Sequence, residues 1–274
     1  MLLRQFSVIT GIIVATALEV PLGAAELQPK TVTAFDRYVR VAEAQMGGDP
    51  FLRVDALPDA QRRAKLEELR QGGIFIDRLA AREAGRNMDV PDGLVHHWVG
   101  LVFVRGATVD EALQLLQDYN RHAEIYRPVV ARARLLARDG DVFRMFLRFS
   151  MKKVITVVVN TENEARFTRL APDRAQSRIY STRIAEVENP DTPEEREKPV
   201  GRDGGYLWRL NTYWRFLQRD GGTYVQCESI TLTRGIPMGF GWLIGPFVTS
   251  IPRESLTFTL ETTQRALARS RSSI

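Results

Sequence analysis

The chain has 274 residues, 44% of them hydrophobic, and a formal net charge of +5. A chain of this length forms one large domain or two smaller ones, and this hydrophobic content is typical of a globular protein that buries a core. The charge permits weak attraction to anionic membranes or acidic ligands, but the absence of a dense lysine and arginine stripe among aromatic residues excludes a nucleic-acid-binding surface.

Residues 1–25 have the pattern of an export signal. Arg4 supplies a positive start, an apolar stretch runs from Phe6 to Leu18, and Gly23-Ala24-Ala25 forms a small-residue cleavage site. The apolar stretch is too short for a membrane-spanning helix. We therefore expect an exported protein, periplasmic or secreted, whose signal peptide is removed; retention of the segment as a membrane anchor is the alternative.

Residues 26–93 are predicted to form a helical N-terminal extension. Helical patterns cover 31–46 and 59–72, and the second begins after Pro58 with an acidic residue and ends at Gly72-Gly73. The extension has too few apolar residues for a core of its own. We therefore expect it to cap the main domain rather than to fold separately.

The main domain, residues 94–274, begins with a strand and a helix. Leu94 to Val104 alternates as a strand does, and Thr108 followed by Glu111 forms a capping box that begins a helix. Asp139-Gly140 then predicts a hairpin turn. The first elements of the domain are therefore a strand, a helix and a β-hairpin.

A long alternating run follows the hairpin turn. From Val142 to Val159 the odd positions are almost all apolar and several even positions are basic, which is typical of an antiparallel sheet with one polar face. This run is too long for one strand, so we expect a bend or turn near 150–153. Ala165 to Leu170 and Ser177 to Val187 predict further strands, and the proline-rich stretch 188–205 predicts a mobile connection, either a lid or a surface insertion.

The last third of the chain carries much of the aromatic content. A strand from Tyr206 to Leu217 is predicted to place Tyr206, Trp208, Leu210, Trp214 and Phe216 on one face. A turn at Asp220-Gly221-Gly222 and a strand from Thr223 to Thr233 follow. A glycine- and aromatic-rich loop, 235–251, precedes a final helix that begins near Pro252. The order of elements predicts an α+β fold and argues against a parallel doubly wound sheet.

Several short segments occur in a suggestive order: Asp118-Tyr119, Tyr126-Arg127-Pro128, Ser181 to Glu186, Leu207 to Asn211, Glu228-Ser229-Ile230, Ile236-Pro237, Pro246-Phe247-Val248 and Ile251 to Leu256. Together they resemble the START-like superfamily (SRPBCC), which includes polyketide cyclase/dehydrase-like proteins and lipid-transfer domains. The resemblance covers roughly residues 94–270. It implies a helix-grip fold, in which a curved antiparallel β-sheet wraps around the long C-terminal helix and encloses an apolar cavity.

Such a cavity would hold a lipid or other hydrophobic small molecule, because ligand pockets are mostly apolar with few polar groups. The predicted ligand-binding residues, whose alternative role is core packing, are Trp208, Trp214, Phe216, Phe149, Leu210, Leu256 and Leu260. The 235–251 loop either packs over the end of the cavity or makes transient contact with a membrane.

Glu228, Arg209 and Tyr180 are the candidate polar groups of this cavity. Alternation places Glu228 on one face with Tyr224, Gln226 and Ile230, where it could donate a proton or form an ion pair across neighbouring strands. The lone cysteine, Cys227, is expected to pack in the core.

The sequence has no phosphate-binding glycine loop, no Gly-x-Ser-x-Gly motif and no cysteine pair, so it predicts no cofactor, catalytic set or metal. Adjacent His96 and His97 leave a strand on opposite faces and cannot jointly bind a metal. These observations favour an exported, non-catalytic carrier. The alternatives are a polyketide cyclase/dehydrase-like enzyme, in which Glu228, Arg209 and Tyr180 assist, and an interaction module whose extension contacts a partner; the ligand and the oligomeric state stay open.

Overall fold

The computed structural model describes residues 25–152, 156–235 and 241–272, and of residues 241–249 and 270–272 it describes the backbone only. The predicted signal peptide therefore lies outside the described residues, apart from Ala25, and so does the part of the predicted loop at 236–240. The aromatic side chains of that loop also lie outside them, so its contact with a membrane stays a prediction.

The helices of the described residues are α1 (Pro29–Met46), α2 (Asp59–Arg70), α3 (Val109–Gln117), α4 (His122–Ile125) and α5 (Gly241–Ser272). The predicted capping box begins α3, because the Thr108 side chain accepts a hydrogen bond from the Glu111 backbone and the Glu111 side chain accepts one from the Thr108 backbone. Two single-turn 3-10 helices occupy Arg53–Ala56 and Tyr119–Arg121.

The strands of the described residues are β1 (Ala25–Glu26), β2 (Ile74–Arg78), β3 (Arg82–Glu83), β4 (Arg86–Asn87), β5 (Gly93–Arg105), β6 (Val130–Asp139), β7 (Val142–Lys152), β8 (Thr156–Ala171), β9 (Arg174–Glu188), β10 (Arg196–Glu197), β11 (Arg202–Asp203), β12 (Arg209–Arg219) and β13 (Gly222–Arg234). The predicted break near 150–153 is confirmed, because β7 ends at Lys152 and β8 begins at Thr156.

One antiparallel sheet contains most of these strands, in the order β2-β5-β13-β12-β9-β8-β7-β6, with β10 paired to β9. The predicted hairpin between β12 and β13 is confirmed, and its two central residues, Asp220 and Gly221, both have positive φ angles of 56° and 73°. Such a turn matches the right-handed twist of the flanking strands. Long strands joined by tight turns keep neighbouring positions in register, apart from register shifts in the pairs β6–β7 and β8–β9.

Helices cover both faces of this sheet. On the side that we call the grip face, α3, α4 and α5 pack against a core that includes Val102, Trp214, Phe216 and Val225. On the opposite side, the outer face, the N-terminal extension packs over the sheet in two clusters. Phe35 and its neighbours in α1 cover one part, and Leu52 and Leu69 contribute to the other.

The helix-grip expectation is confirmed, since a large antiparallel sheet packs against the long C-terminal helix α5 in an α+β fold. Two local predictions were wrong. Residues 241–251 are helical rather than part of an irregular loop, so α5 begins well before Pro252. The extension is not only helical, because β2 joins the main sheet beside β5. Tertiary context overrides the local propensities on which both expectations rested.

Hydrogen bonds fix the connection after β9 to the outer face of the sheet. Arg148, which is buried, donates two hydrogen bonds to the Glu195 carboxylate at 3.0 and 2.6 Å. The same guanidinium lowers the pKa of Glu195 to about 2. Asn160 donates to Glu197 at 2.7 Å in the same way. These strand positions face away from the grip face, so this part of the connection lies on the outer face.

Candidate functional site

The floor of the candidate site is the grip face of strands β12, β9, β8 and β7. Cross-strand register brings Trp214 opposite Ser177 and Phe149 opposite Val159. Because side chains alternate along a strand, Leu210 and Phe216 point to the same side as Trp214. Near α3 and α4 this floor is closed, with Phe216 and Phe143 at 0% and 1% exposure.

Several apolar side chains of the floor are only half-covered. Leu147, Phe149, Ile179, Trp98 and Phe258 pack against the grip-face core but keep part of their surface exposed. In the register of the sheet Ile179 lies opposite Ala165 and Phe149 lies opposite Val159, so these residues are spread along the floor. The floor therefore keeps apolar surface that the described side chains do not close completely.

Helix α5 forms one wall of the site. Leu256 and Leu260 are buried against the sheet, and Gln264 donates a hydrogen bond to the Phe103 carbonyl at 3.0 Å. The close approach depends on Gly100 of β5, where an added Cβ would lie 2.4 Å from Cδ1 of Leu260. A residue without a side chain at this position lets the helix lie directly on the strand.

Uncharged polar side chains cross the middle of the floor. Asn163 donates to the Thr161 hydroxyl at 2.8 Å and accepts from the Ser181 hydroxyl at 2.7 Å. Thr161 donates in turn to the Leu147 carbonyl. These groups satisfy one another, so burial beside a hydrophobic molecule would leave none of them without a partner.

Two buried polar atoms near α3 and α4 have no hydrogen-bond partner within the described part of the chain: the Tyr119 hydroxyl and Nε2 of His122. Their rings lie 4.8 Å apart. Burial lowers the pKa of His122 to about 4, which keeps the imidazole neutral at physiological pH. Burial also raises the pKa of Tyr119, so its hydroxyl stays protonated.

The structure places six of the seven predicted ligand-binding residues on the grip-face side: Trp214, Phe216, Phe149, Leu210, Leu256 and Leu260. Whether they contact a ligand stays a prediction. Trp208 was placed wrongly. It packs in the outer-face cluster of α1, and its indole N–H donates to Asp203 at 3.0 Å. The reason is that β12 begins only at Arg209, so the alternation that Trp214 follows does not extend to residue 208.

The three candidate polar groups also lie on the outer face. Glu228 does share a face with Gln226, Tyr224 and Ile230, as alternation predicts, but that face meets the N-terminal extension. Tyr180 donates a hydrogen bond to Glu43 of α1. Arg209 lines a shallow groove beside Leu27 and Val200, far from the core under α5. None of the three reaches the grip face.

Glu228 instead ends a buried hydrogen-bonded chain that sequence reasoning missed. Its carboxylate lies 2.7 Å from Nε2 of His97, and Nδ1 of His97 lies 3.0 Å from the Tyr38 hydroxyl. The Tyr38 hydroxyl also accepts from the backbone N–H of Ala81 at 2.9 Å. These groups join α1 to the sheet. The only sequence signal was the helical spacing that places Tyr38 on the apolar face of α1.

The described residues hold no group of three or more histidine, cysteine or acidic side chains that could bind a metal. His96 and His97 do point to opposite faces, and His96 lies 3.2 Å from the Thr233 hydroxyl. Cys227 is buried in the grip-face core, and burial raises the pKa of its thiol. Among the helices that the structure describes, none has the length and apolar character to cross a membrane.

No protein-family model and no curated protein matches this sequence. Solved structures do show similarity. A STAR-related lipid transfer protein fragment from Xanthomonas axonopodis is 17% identical and covers 69% of this chain and 98% of its own, with a TM-score of 0.45. An aromatase/cyclase from a Streptomyces species is 15% identical over 64% of this chain and 95% of its own (TM-score 0.41). A Thermus thermophilus protein is 18% identical over 65% and 98% (TM-score 0.42). At such identities and TM-scores, these similarities carry no argument about this chain.

Proposed function

We propose that this protein is a non-catalytic carrier that binds a lipid or other hydrophobic small molecule on the grip face. One observation carries the proposal. Leu147, Phe149 and Ile179 face the side that helices cover, yet they remain half-exposed. Apolar surface gains about 25 cal/mol per Å² when it leaves water, so an apolar molecule seated there would bind favourably.

The chemistry of the floor supports an uncharged, apolar ligand. The basic side chains of β7, such as Arg144 and Arg148, occupy the positions that point to the outer face. Two polar groups of the grip face, Asn163 and Ser181, are already hydrogen-bonded to each other. A hydrocarbon chain seated beside them would leave neither of them without a partner.

A cyclase-like enzyme using Glu228, Arg209 and Tyr180 loses its geometric support, because these side chains lie on the opposite face of the sheet. Glu228→Gln should therefore leave ligand uptake unchanged. Turnover of a polyketide-like substrate that Glu228→Gln abolishes, with ligand binding and folding intact, would favour the enzyme alternative over the carrier.

The direct test is to extract the purified protein with organic solvent, identify any co-purified apolar molecule by mass spectrometry, and titrate the extracted protein with a fluorescent fatty acid. We expect a retained molecule or saturable uptake. If no apolar molecule is retained and no uptake is detected, the carrier function is refuted.

A bulky substitution tests the location of the site. Ile179→Trp should fill space above the half-covered part of the floor around Ile179 and weaken uptake at least tenfold, with little change in unfolding temperature. The matched control is Leu136→Trp, since Leu136 is 43% exposed on the edge strand β6. Equal uptake by Ile179→Trp and the parent protein would place the ligand elsewhere.

We also propose export, on the pattern of residues 1–25 alone. The measurement is the N-terminal sequence of the protein recovered from the periplasmic or culture fraction of an expressing bacterium. A mature N-terminus near Glu26 in that fraction is expected; full-length protein confined to the cytoplasm would contradict export.

A further inference from the structure

A cavity lies on the outer face of the sheet, opposite the proposed carrier site. It has a volume of about 330 Å³ and lies between the segment that follows α1 and strands β9 and β12. Its lining includes Met46, Phe51 and Leu170 together with three arginines, Arg174, Arg178 and Arg215. The cavity therefore combines a small apolar wall with a concentration of positive charge.

The three arginines form no ion pair with an acidic side chain among the described residues. The acid that lines the same cavity is Asp49, whose side chain is exposed. Glu43, the nearest acid on α1, accepts hydrogen bonds from the Tyr180 and Tyr213 hydroxyls instead. Glu228 interacts electrostatically with Arg215 across β12 and β13, but no acidic side chain forms an ion pair with Arg174 or Arg178 among the described residues.

Further positive charge comes from β8. Arg166 lies directly opposite Arg178 in the register of β8 and β9, on the same face of the sheet. Like charges in directly opposed positions destabilise a sheet unless something of opposite charge lies between them. Burial lowers the pKa of Arg215; the Glu228 carboxylate opposes this change, and the charge of Arg178 adds to it.

Two of the arginines are held in place rather than free in solvent. The guanidinium groups of Arg174 and Arg215 lie 4.9 and 5.3 Å from the centre of the Phe51 ring. Arg215 also donates hydrogen bonds to the carbonyls of Met46 and Phe51. Nε of Arg174 is buried and has no acceptor within the described ranges. The donors are therefore pre-positioned, and one of them lacks an acceptor.

We propose that this cavity binds a phosphate group carried by a small molecule. Guanidinium groups bind phosphate oxygens through paired hydrogen bonds, and several converging arginines match a dianion better than a single carboxylate. The apolar wall of Met46, Phe51 and Leu170 would contact the remainder of the molecule. This site does not depend on the proposed carrier function, because it lies on the other face of the sheet.

The test uses phenyl phosphate, titrated into the full-length protein at constant ionic strength by calorimetry. Arg174→Gln and Arg178→Gln should each weaken binding at least tenfold. The matched control, Arg144→Gln, removes the same charge from the same sheet face, but Arg144 is paired with Glu164 at 3.4 Å and does not line the cavity. It should change the affinity less than twofold.

Thermal unfolding of each variant establishes that it folds. If Arg144→Gln weakens the binding of phenyl phosphate as much as the cavity variants do, the effect is general electrostatics and the proposal is overturned. The proposal is also overturned if benzoate binds as tightly as phenyl phosphate. Vesicles of phosphatidylcholine with and without phosphatidic acid separate the two sources of the group. Arginine-dependent binding to phosphatidic acid vesicles alone supports a lipid headgroup, and binding to phenyl phosphate alone supports a soluble ligand. Binding to neither overturns the proposal.

Discussion

The contact between Gly100 of β5 and Leu260 of α5 offers a test of where the C-terminal helix lies. A Cβ added at position 100 would be 2.4 Å from Cδ1 of Leu260 and 2.6 Å from Cδ1 of Ile76. Carbon atoms in favourable contact are about 3.5–4.0 Å apart, so the added methyl overlaps both neighbours by more than about 1 Å. Gly100→Ala therefore forces α5 or β2 to shift.

The expected free energies follow from these distances. Overpacking of this kind costs about 1–3 kcal/mol, and the lower chain entropy of alanine in the unfolded state offsets about 0.4–1 kcal/mol of it. Leu260→Ala removes a side chain with 0% exposure, which costs about 2–5 kcal/mol. In the double variant the nearer clash disappears and the added methyl occupies part of the new cavity. We expect the double variant to be about 1 kcal/mol more stable than the sum of the single changes predicts, within the range of coupling between contacting residues.

The assay is urea unfolding followed by circular dichroism, with the free energy of unfolding and its denaturant dependence fitted for all four proteins. The control pairs Gly100→Ala with Leu136→Ala, because Leu136 is exposed and makes no contact with α5; this pair should be additive. If Gly100→Ala and Leu260→Ala also add to within about 0.3–0.5 kcal/mol, α5 does not lie on Gly100, and the wall of the proposed site is misplaced.

Three further outcomes test other parts of the structure. Gly222→Ala should destabilise by about 1–3 kcal/mol, because the added Cβ would be 2.3 Å from the rigid Val104 carbonyl oxygen; Gly48→Ala, with nothing within 4 Å, is its control and should change stability little. Thr108→Ala should cost about 1 kcal/mol in urea unfolding through loss of the α3 cap, and a neutral result would contradict the capping box. The pKa of His122 is lowered from 6.5 to about 4, so between those values the unfolded state binds more protons and stability falls as pH decreases. His122→Gln should therefore flatten the decline in urea midpoint between pH 7 and pH 4.5 relative to the parent protein, and parallel curves would argue against a buried neutral imidazole.

Much of the secondary structure followed from local patterns. The Asp220-Gly221 turn supplies the positive φ angles that a tight hairpin requires. The capping box formed by Thr108 and Glu111, only three residues apart, identifies the start of α3. Alternation correctly grouped Glu228 with Gln226 and Tyr224. These features depend on residues close in the chain, and that is why they could be predicted without knowledge of the packing.

The assignment of each group to a face required the tertiary structure. Period-two alternation divides a strand into two sets of residues, but it does not say which set meets α5 and which meets α1. Here both faces are covered by helices and both contain buried apolar clusters, so Glu228, Tyr180 and Trp208 were assigned to the wrong side, while Trp214 and Phe149 were placed on the right one.

What the sequence determined by itself is therefore the set of strands, their turns and the α+β class, because hydrogen-bonding geometry and side-chain periodicity act locally. What only the tertiary structure decided is which surfaces meet: the N-terminal extension on the outer face, the long helix against Gly100, and the arginines of β9 and β12 around Phe51. Those contacts join residues far apart in the chain, and their free energy comes from burial that no local pattern encodes.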